Sequence, residues 1–79
     1  MTQDEIRKLA LDILGGIAPE ADLTALAEDD ELREVLDIDS MDLLNFIVAL
    51  HEATAVAIPE TNYKKLSTLG GIVGYLAET

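Results

Sequence analysis

Ser40 stands between two carboxylates, Asp39 and Asp42, in the run Leu36-Asp37-Ile38-Asp39-Ser40-Met41-Asp42-Leu43-Leu44. Such a hydroxyl can be a nucleophile, part of a metal site, a helix cap, or the acceptor of a covalently attached group. As a nucleophile it needs a base within hydrogen-bond reach. The single histidine, His51, is eleven residues further on, which in a helix is roughly 16 Å along the axis. Exposed carboxylates of ordinary pKa are poor bases for a hydroxyl. No Ser-His-Asp arrangement can be built, so the chain reads as a non-enzyme, and His51 as a solvated helix residue. The carboxylates at Asp37, Asp39 and Asp42 lack the loop glycine and distal glutamate of a calcium-binding loop. With one His and no Cys, a zinc site is not expected either. What remains is a cap, or a hydroxyl on which chemistry is done. A phosphate ester at a helix start lies near free N–H groups and the positive end of the dipole.

The elements that must position Ser40 are legible from caps and spacing. Thr2 followed by Glu5 is a capping box, and Ile6, Leu9, Ala10, Ile13 and Leu14 recur at helical spacing. Gly15-Gly16 is expected to end this first helix. Residues 17–38 form a long acidic connection whose Leu23, Leu26, Leu32, Val35 and Leu36 should pack on the core. A helical turn is expected near 22–27 or 30–35. The second helix should start at Asp39-Ser40, with Asp39 as N-cap and Asp42 complementing the dipole, and run to Glu52 or Ala53. Ile58-Pro59 reads as extended, although Val56-Ala57-Ile58 also has strand character. A short helical turn should occupy Thr61–Lys65. The last helix should follow Ser67 or Thr68 and present Leu69, Ile72, Val73 and Leu76. Its Gly70, Gly71 and Gly74 each cost on the order of 1 kcal/mol relative to Ala. The fold class is therefore all-α. It is expected as one domain spanning 1–79, a small antiparallel four-helix bundle of three longer helices and one short one.

The second helix has more apolar surface than one stripe requires. Leu43, Phe46, Ile47 and Leu50 make one face; Met41, Leu44 and Val48 make another, offset around the axis. The offset face is either buried, in a central helix, or exposed as a docking surface rimmed by Asp39, Asp42 and Glu52.

Size and charge narrow the function further. Seventy-nine residues are too few for an ordinary enzyme cleft, and without cysteine the stability must come from helix packing. A net charge of −11 repels nucleic acid. Ten of the sixteen acids lie between Glu20 and Asp42, against Arg33 alone. Acids can serve solubility only, but their placement around Ser40 points to steering of basic partners. Met1 leads straight into Thr2-Gln3-Asp4-Glu5, so no secretory leader is expected, and the longest apolar run, Phe46–Leu50, is far short of a membrane span. A cytoplasmic monomer is expected.

Asp39-Ser40-Met41-Asp42, the helix Leu43–Glu52, Ile58-Pro59 downstream and Thr68-Leu69…Ile72…Tyr75-Leu76 together resemble the acyl carrier proteins over nearly the whole chain. The resemblance implies that Ser40, with Asp39 beside it, takes a 4′-phosphopantetheine arm from coenzyme A through a phosphopantetheinyl transferase. The arm's thiol would carry acyl groups as thioesters to partner enzymes of fatty-acid, lipid or polyketide synthesis that present basic docking surfaces. It implies partner contacts at Asp39, Met41, Asp42, Leu44, Val48 and Glu52. It implies an acyl-lined core at Leu43, Phe46, Ile47, Leu50, Ile58, Leu69 and Ile72. Asp37 stands where that family usually has glycine, and Thr61-Asn62-Tyr63-Lys64-Lys65 replaces a usually acidic short helix, pointing to a specialised carrier. An aminoacyl or peptidyl carrier, and an unmodified acidic adaptor for basic partners, are the alternatives.

Overall fold

A computed structural model describes residues 1–78. Helix α1 (Gln3–Ile17) opens on the expected capping box. The Glu5 N–H donates to Thr2 Oγ1 at 3.2 Å, and the Thr2 N–H donates to Glu5 Oε1 at 2.8 Å. The Thr2 N–H, and after it the Thr2 hydroxyl, hold the Glu5 carboxyl below its usual range. A lowered folded-state value stabilises at pH above the unfolded carboxylate's, and that contribution fades as pH falls through the folded value. Ile6, Ala10 and Leu14 are buried at four-residue intervals. The helix does not end at Gly15-Gly16. It runs through both to Ile17, and Ala18 (φ −126°, ψ 71°) closes it, because the following Pro19 excludes the helical region for its predecessor.

The connection to the next long helix is ordered by its own apolar residues. A 3-10 turn at Leu23–Ala25 and helix α2 (Leu32–Val35) occupy both stretches where a turn was expected. Leu32 and Leu36 are buried, and Leu23 and Leu26 pack against the core. Val35, expected to pack inward, is instead 49% exposed: although it shares a helical face with Leu32 and Leu36, it sits at the last residue of this short helix and borders an open depression beside the end of α1. Three links fasten this segment down. Arg7 pairs with Glu28, its Nε donating to Oε1 at 2.6 Å. The Gly70 N–H donates to the Glu28 carbonyl at 2.9 Å, and the Leu32 N–H to the Ser67 carbonyl at 2.9 Å.

Helix α3 (Ser40–Thr54) buries Phe46, Ile47 and Leu50 and ends at Ala55, which is left-handed at φ 59°. Residues 56–59 then form neither helix nor strand, and Pro59 is extended (φ −68°, ψ 149°). Pairing among the described residues is limited to an isolated Glu31–Thr68 bridge. The short helix expected at Thr61–Lys65 is a 3-10 helix, Glu60–Leu66, with Leu66 buried. Helix α4 (Leu69–Ala77) is capped by Thr68, whose Oγ1 accepts from the Gly71 N–H at 3.0 Å, and buries Leu69, Ile72, Val73 and Leu76. Helix α1 packs on both α3 and α4, and the 3-10 helix packs on α4.

Gly71 is more than a weak helix former. A Cβ there would lie 2.0 Å from the Lys65 carbonyl oxygen, so the 3-10 helix and α4 meet at a distance that only glycine allows. Gly16, by contrast, has nothing within 4 Å. Gly71→Ala should therefore lower the thermal midpoint by roughly 10 °C, from about 2 kcal/mol of clash and displacement. Gly16→Ala should raise it by roughly 3–6 °C through helix propensity. Thermal unfolding followed by circular dichroism reads both; equal shifts of one sign would contradict this account.

Candidate functional site

The approach to Ser40 is pinned from below. Leu36 and Ile38 are buried on either side of Asp37, and the Leu36 and Ile38 N–H groups donate to the Leu32 and Arg33 carbonyls at 3.0 and 3.2 Å. Between these anchors the chain reverses through Asp37, left-handed at φ 53°. Aspartate tolerates that region better than most residues, which is how this chain manages without a glycine there.

Asp39 then takes an extended conformation (φ −91°, ψ 180°), and its Oδ1 accepts from the Asp42 N–H at 2.8 Å. The cap is therefore Asp39. Ser40 is the first residue of α3, exposed, and its hydroxyl makes no hydrogen bond among the described residues. The N–H groups of Ser40 and Met41 have no partner within the helix, as at any helix start. The site thus offers a solvent-facing hydroxyl that the fold does not use, beside open backbone donors.

The two apolar faces of α3 have different fates. Phe46, Ile47 and Leu50 are buried, and Leu43 packs partly against the same cluster. Met41, Leu44 and Val48 are 65%, 41% and 44% exposed. Asp39 is exposed at the same end, and Asp42 is half-buried. Glu52 is exposed but lies twelve residues from Ser40, roughly 18 Å along the axis, so it belongs to the far end. Ile58 is half-buried, and Leu69 and Ile72 are buried on α4 in the core cluster.

Two depressions flank α3. One, of about 460 Å³, lies between the end of α1 and the Val35–Ile38 segment and reaches Asp42. The other, of about 370 Å³, is more apolar and is lined by Ile47, Val48, His51, Ile58, Pro59 and Tyr63, with Ala57. Its walls come from segments up to sixteen residues apart, so Ala57, Pro59, Tyr63 and His51 carry no local signal of belonging together. His51 is exposed, as expected, but also fixed: its Nδ1 donates to the Val56 carbonyl at 2.8 Å, across the left-handed Ala55. The signal available in sequence was only a helix-ending histidine, whose ring suits the free carbonyls there. Among the described residues no His, Cys, Asp or Glu group of three or more is arranged to hold a metal ion, and no helix is long and apolar enough to cross a membrane.

Comparison with known proteins agrees with this geometry. The family profile described as "Phosphopantetheine attachment site" matches residues 4–76. The acyl carrier protein of Chlamydia muridarum is 32% identical over 76 residues, covering 96% of this chain and 92% of that protein. That of Lactobacillus acidophilus is 30% identical over 76 residues, covering 96% and 94%. That of Renibacterium salmoninarum is 37% identical over 62 residues, covering 78% and 72%. In fold, the solved acyl carrier protein from Enterococcus faecalis superimposes with a TM-score of 0.80 at 22% identity, over 99% of this chain and 98% of that one. An unused hydroxyl at the head of a helix with a bare apolar face, on this fold and with these relatives, places the chain in the phosphopantetheine attachment-site family, among the acyl carrier proteins.

Proposed function

We propose that Ser40 is the residue that carries the 4′-phosphopantetheine arm, and that the chain acts as a carrier and not as a catalyst. The observation that carries this reading is the division of labour at the start of α3. Asp39 supplies the cap, which leaves the Ser40 hydroxyl exposed and unbonded. The residues present fit the group. An unhindered hydroxyl can be esterified without breaking a native hydrogen bond, and the phosphodiester would lie at the open N–H groups of a fifteen-residue helix. When attached, the arm supplies the thiol that this cysteine-free chain lacks and holds acyl groups as thioesters. The chain's own contribution is to present that arm and to be recognised.

Recognition falls to the exposed face of α3. Met41, Leu44 and Val48 provide apolar anchors, and Asp39, Asp42 and, further along, Glu52 provide the charge that draws basic surfaces in and orients them. The partners in this reading are a phosphopantetheinyl transferase and the enzymes that load and remove acyl groups. The chain works as a monomer in the cytoplasm. Acyl chains are received at the groove beside Ile47 and Ile58. Leu43, Phe46, Leu50, Leu69 and Ile72 form the core behind it, so a chain passing beyond the groove would have to displace packed side chains.

Incubation with coenzyme A and a broad-specificity phosphopantetheinyl transferase should add one phosphopantetheine to the intact mass of the wild type and none to Ser40→Ala. No gain on the wild type, or an equal gain on the variant, would sink the assignment. In urea denaturation Asp39→Ala should cost about 1 kcal/mol, the usual value of a lost N-cap. Ser40→Ala should change stability by less than about 0.5 kcal/mol, because an exposed, unbonded hydroxyl contributes little. Leu44→Arg should keep the helical spectrum and midpoint while slowing modification by the transferase at least several-fold; global unfolding would show that Leu44 is core.

A further inference from the structure

The groove beside α3 has two walls of unequal firmness. Ile47, Val48 and His51 stand on α3, and Ala57, Ile58, Pro59 and Tyr63 make the other wall. The first is part of a fifteen-residue helix. The second belongs to a segment that is neither helix nor strand until Glu60. Among the described residues, 56–59 make one backbone–backbone hydrogen bond, and it is local: the Pro59 carbonyl accepts from the Asn62 N–H at 2.9 Å.

This second wall is fastened at its two ends and once between them. At its start, the Val56 N–H donates to Thr54 Oγ1 at 3.3 Å, and the Val56 carbonyl accepts from His51, both at the end of α3. At its far end Leu66 is buried, and the 3-10 helix sits against α4 at Gly71. Between these ends, among the described residues, Tyr75 is the one side chain from elsewhere in the fold that reaches the wall by hydrogen bond. Its hydroxyl donates to the Ala57 carbonyl at 3.3 Å and accepts from Asn62 Nδ2 at 3.1 Å. Ala57 lines the groove, and Asn62 adjoins Tyr63, which lines it too. The Tyr75 ring itself packs against the core.

Behind the groove lie Phe46, Leu50, Leu69 and Ile72, all buried. A close-packed core yields little, whereas a segment held by few hydrogen bonds opens locally at small cost. A cargo longer than the groove therefore advances by moving the outer wall away from α3. That movement breaks the bond between Tyr75 and Ala57.

We propose that Tyr75 is a positioning residue for the cargo. By tying Ala57 and Asn62 to α4 it holds the groove at its present width and favours acyl chains that fit beside Ile47 and Ile58. Longer chains enter only as the tie breaks. The proposal rests on the acyl-groove reading given above and assigns what limits the length of its cargo.

Wild type and Tyr75→Phe test it, each loaded at Ser40 with a butyryl or a dodecanoyl arm from the corresponding acyl-coenzyme A and a broad-specificity transferase. Phenylalanine keeps the ring and removes the hydroxyl alone. Thioester cleavage by hydroxylamine is timed by intact mass, since a chain drawn into the protein protects its thioester. The quantity read is the ratio of the butyryl to the dodecanoyl rate. It should rise about 5-fold in Tyr75→Phe, the equilibrium weight of one ordinary hydrogen bond. Asn62→Ala, which leaves the bond to Ala57 in place, should raise it less. Thr24→Ala loses a hydrogen bond to Asp22 in the loop after α1 and should move the ratio less than about 1.5-fold. In the dodecanoyl forms, methyl shifts should stop at Ile47 and Ile58 in the wild type and extend to Leu69 and Ile72 in Tyr75→Phe. An unchanged ratio in Tyr75→Phe, an equal rise in Thr24→Ala, or no shift at Ile47 and Ile58 in any loaded form would overturn the proposal. Failure of the carrier reading shows earlier, as absence of loading at Ser40.

Discussion

Everything in this molecule depends on how α3 divides its surface. A fifteen-residue helix with apolar residues around most of its circumference can bury only as much as its neighbours can cover. Here α1 packs on α3, and Phe46, Ile47 and Leu50 are buried in the shared core, while Met41, Leu44 and Val48 are left exposed. Burial of the inner face sets the rotation of α3, and that rotation fixes the direction in which Ser40 and the outer stripe point. The exposure of the outer stripe is thus a consequence of core packing, because a helix rotated to hide it would bring Phe46 to water.

The long loop serves the same end. In a domain of this size an unsupported connection between α1 and α3 would leave the head of α3 free to fray. The chain instead buries Leu32, Leu36 and Ile38, pairs Arg7 with Glu28, and bonds the loop backbone to Ser67 and Gly70 at the start of α4. Gly71 completes the arrangement by letting the 3-10 helix approach α4 closely. The left-handed residues Asp37 and Ala55 bracket α3 at its two ends. Backbone strain of this kind persists only where surrounding contacts hold it, and here buried Ile38 and the His51–Val56 hydrogen bond do so.

Much of this was legible in the residues. The capping box at Thr2 and Glu5, the cap at Asp39, the cap at Thr68 and the apolar periodicity of α1, α3 and α4 are local patterns, set by hydrogen-bond geometry within one turn. They therefore survive into the fold unchanged. Local rules failed where a neighbour outweighed them. Gly15-Gly16 has the composition of a helix end, yet the helix continues until Pro19 forbids it. Val35 follows the apolar pattern but finds no core to reach. The glycines of α4 look like a flaw in propensity until the Lys65 carbonyl is seen against Gly71.

The order of elements, the identity of Ser40 as a hydroxyl at a helix start, the separation of the single histidine from it, and the acidity of its surroundings were determined by the sequence by itself, since each depends on residue type and short-range spacing. Only the tertiary structure decided which of the two stripes of α3 meets water, and that His51, Ile58 and Tyr63 line one groove. Those facts depend on contacts between segments far apart in the chain, which come from packing and leave no periodic trace in the sequence.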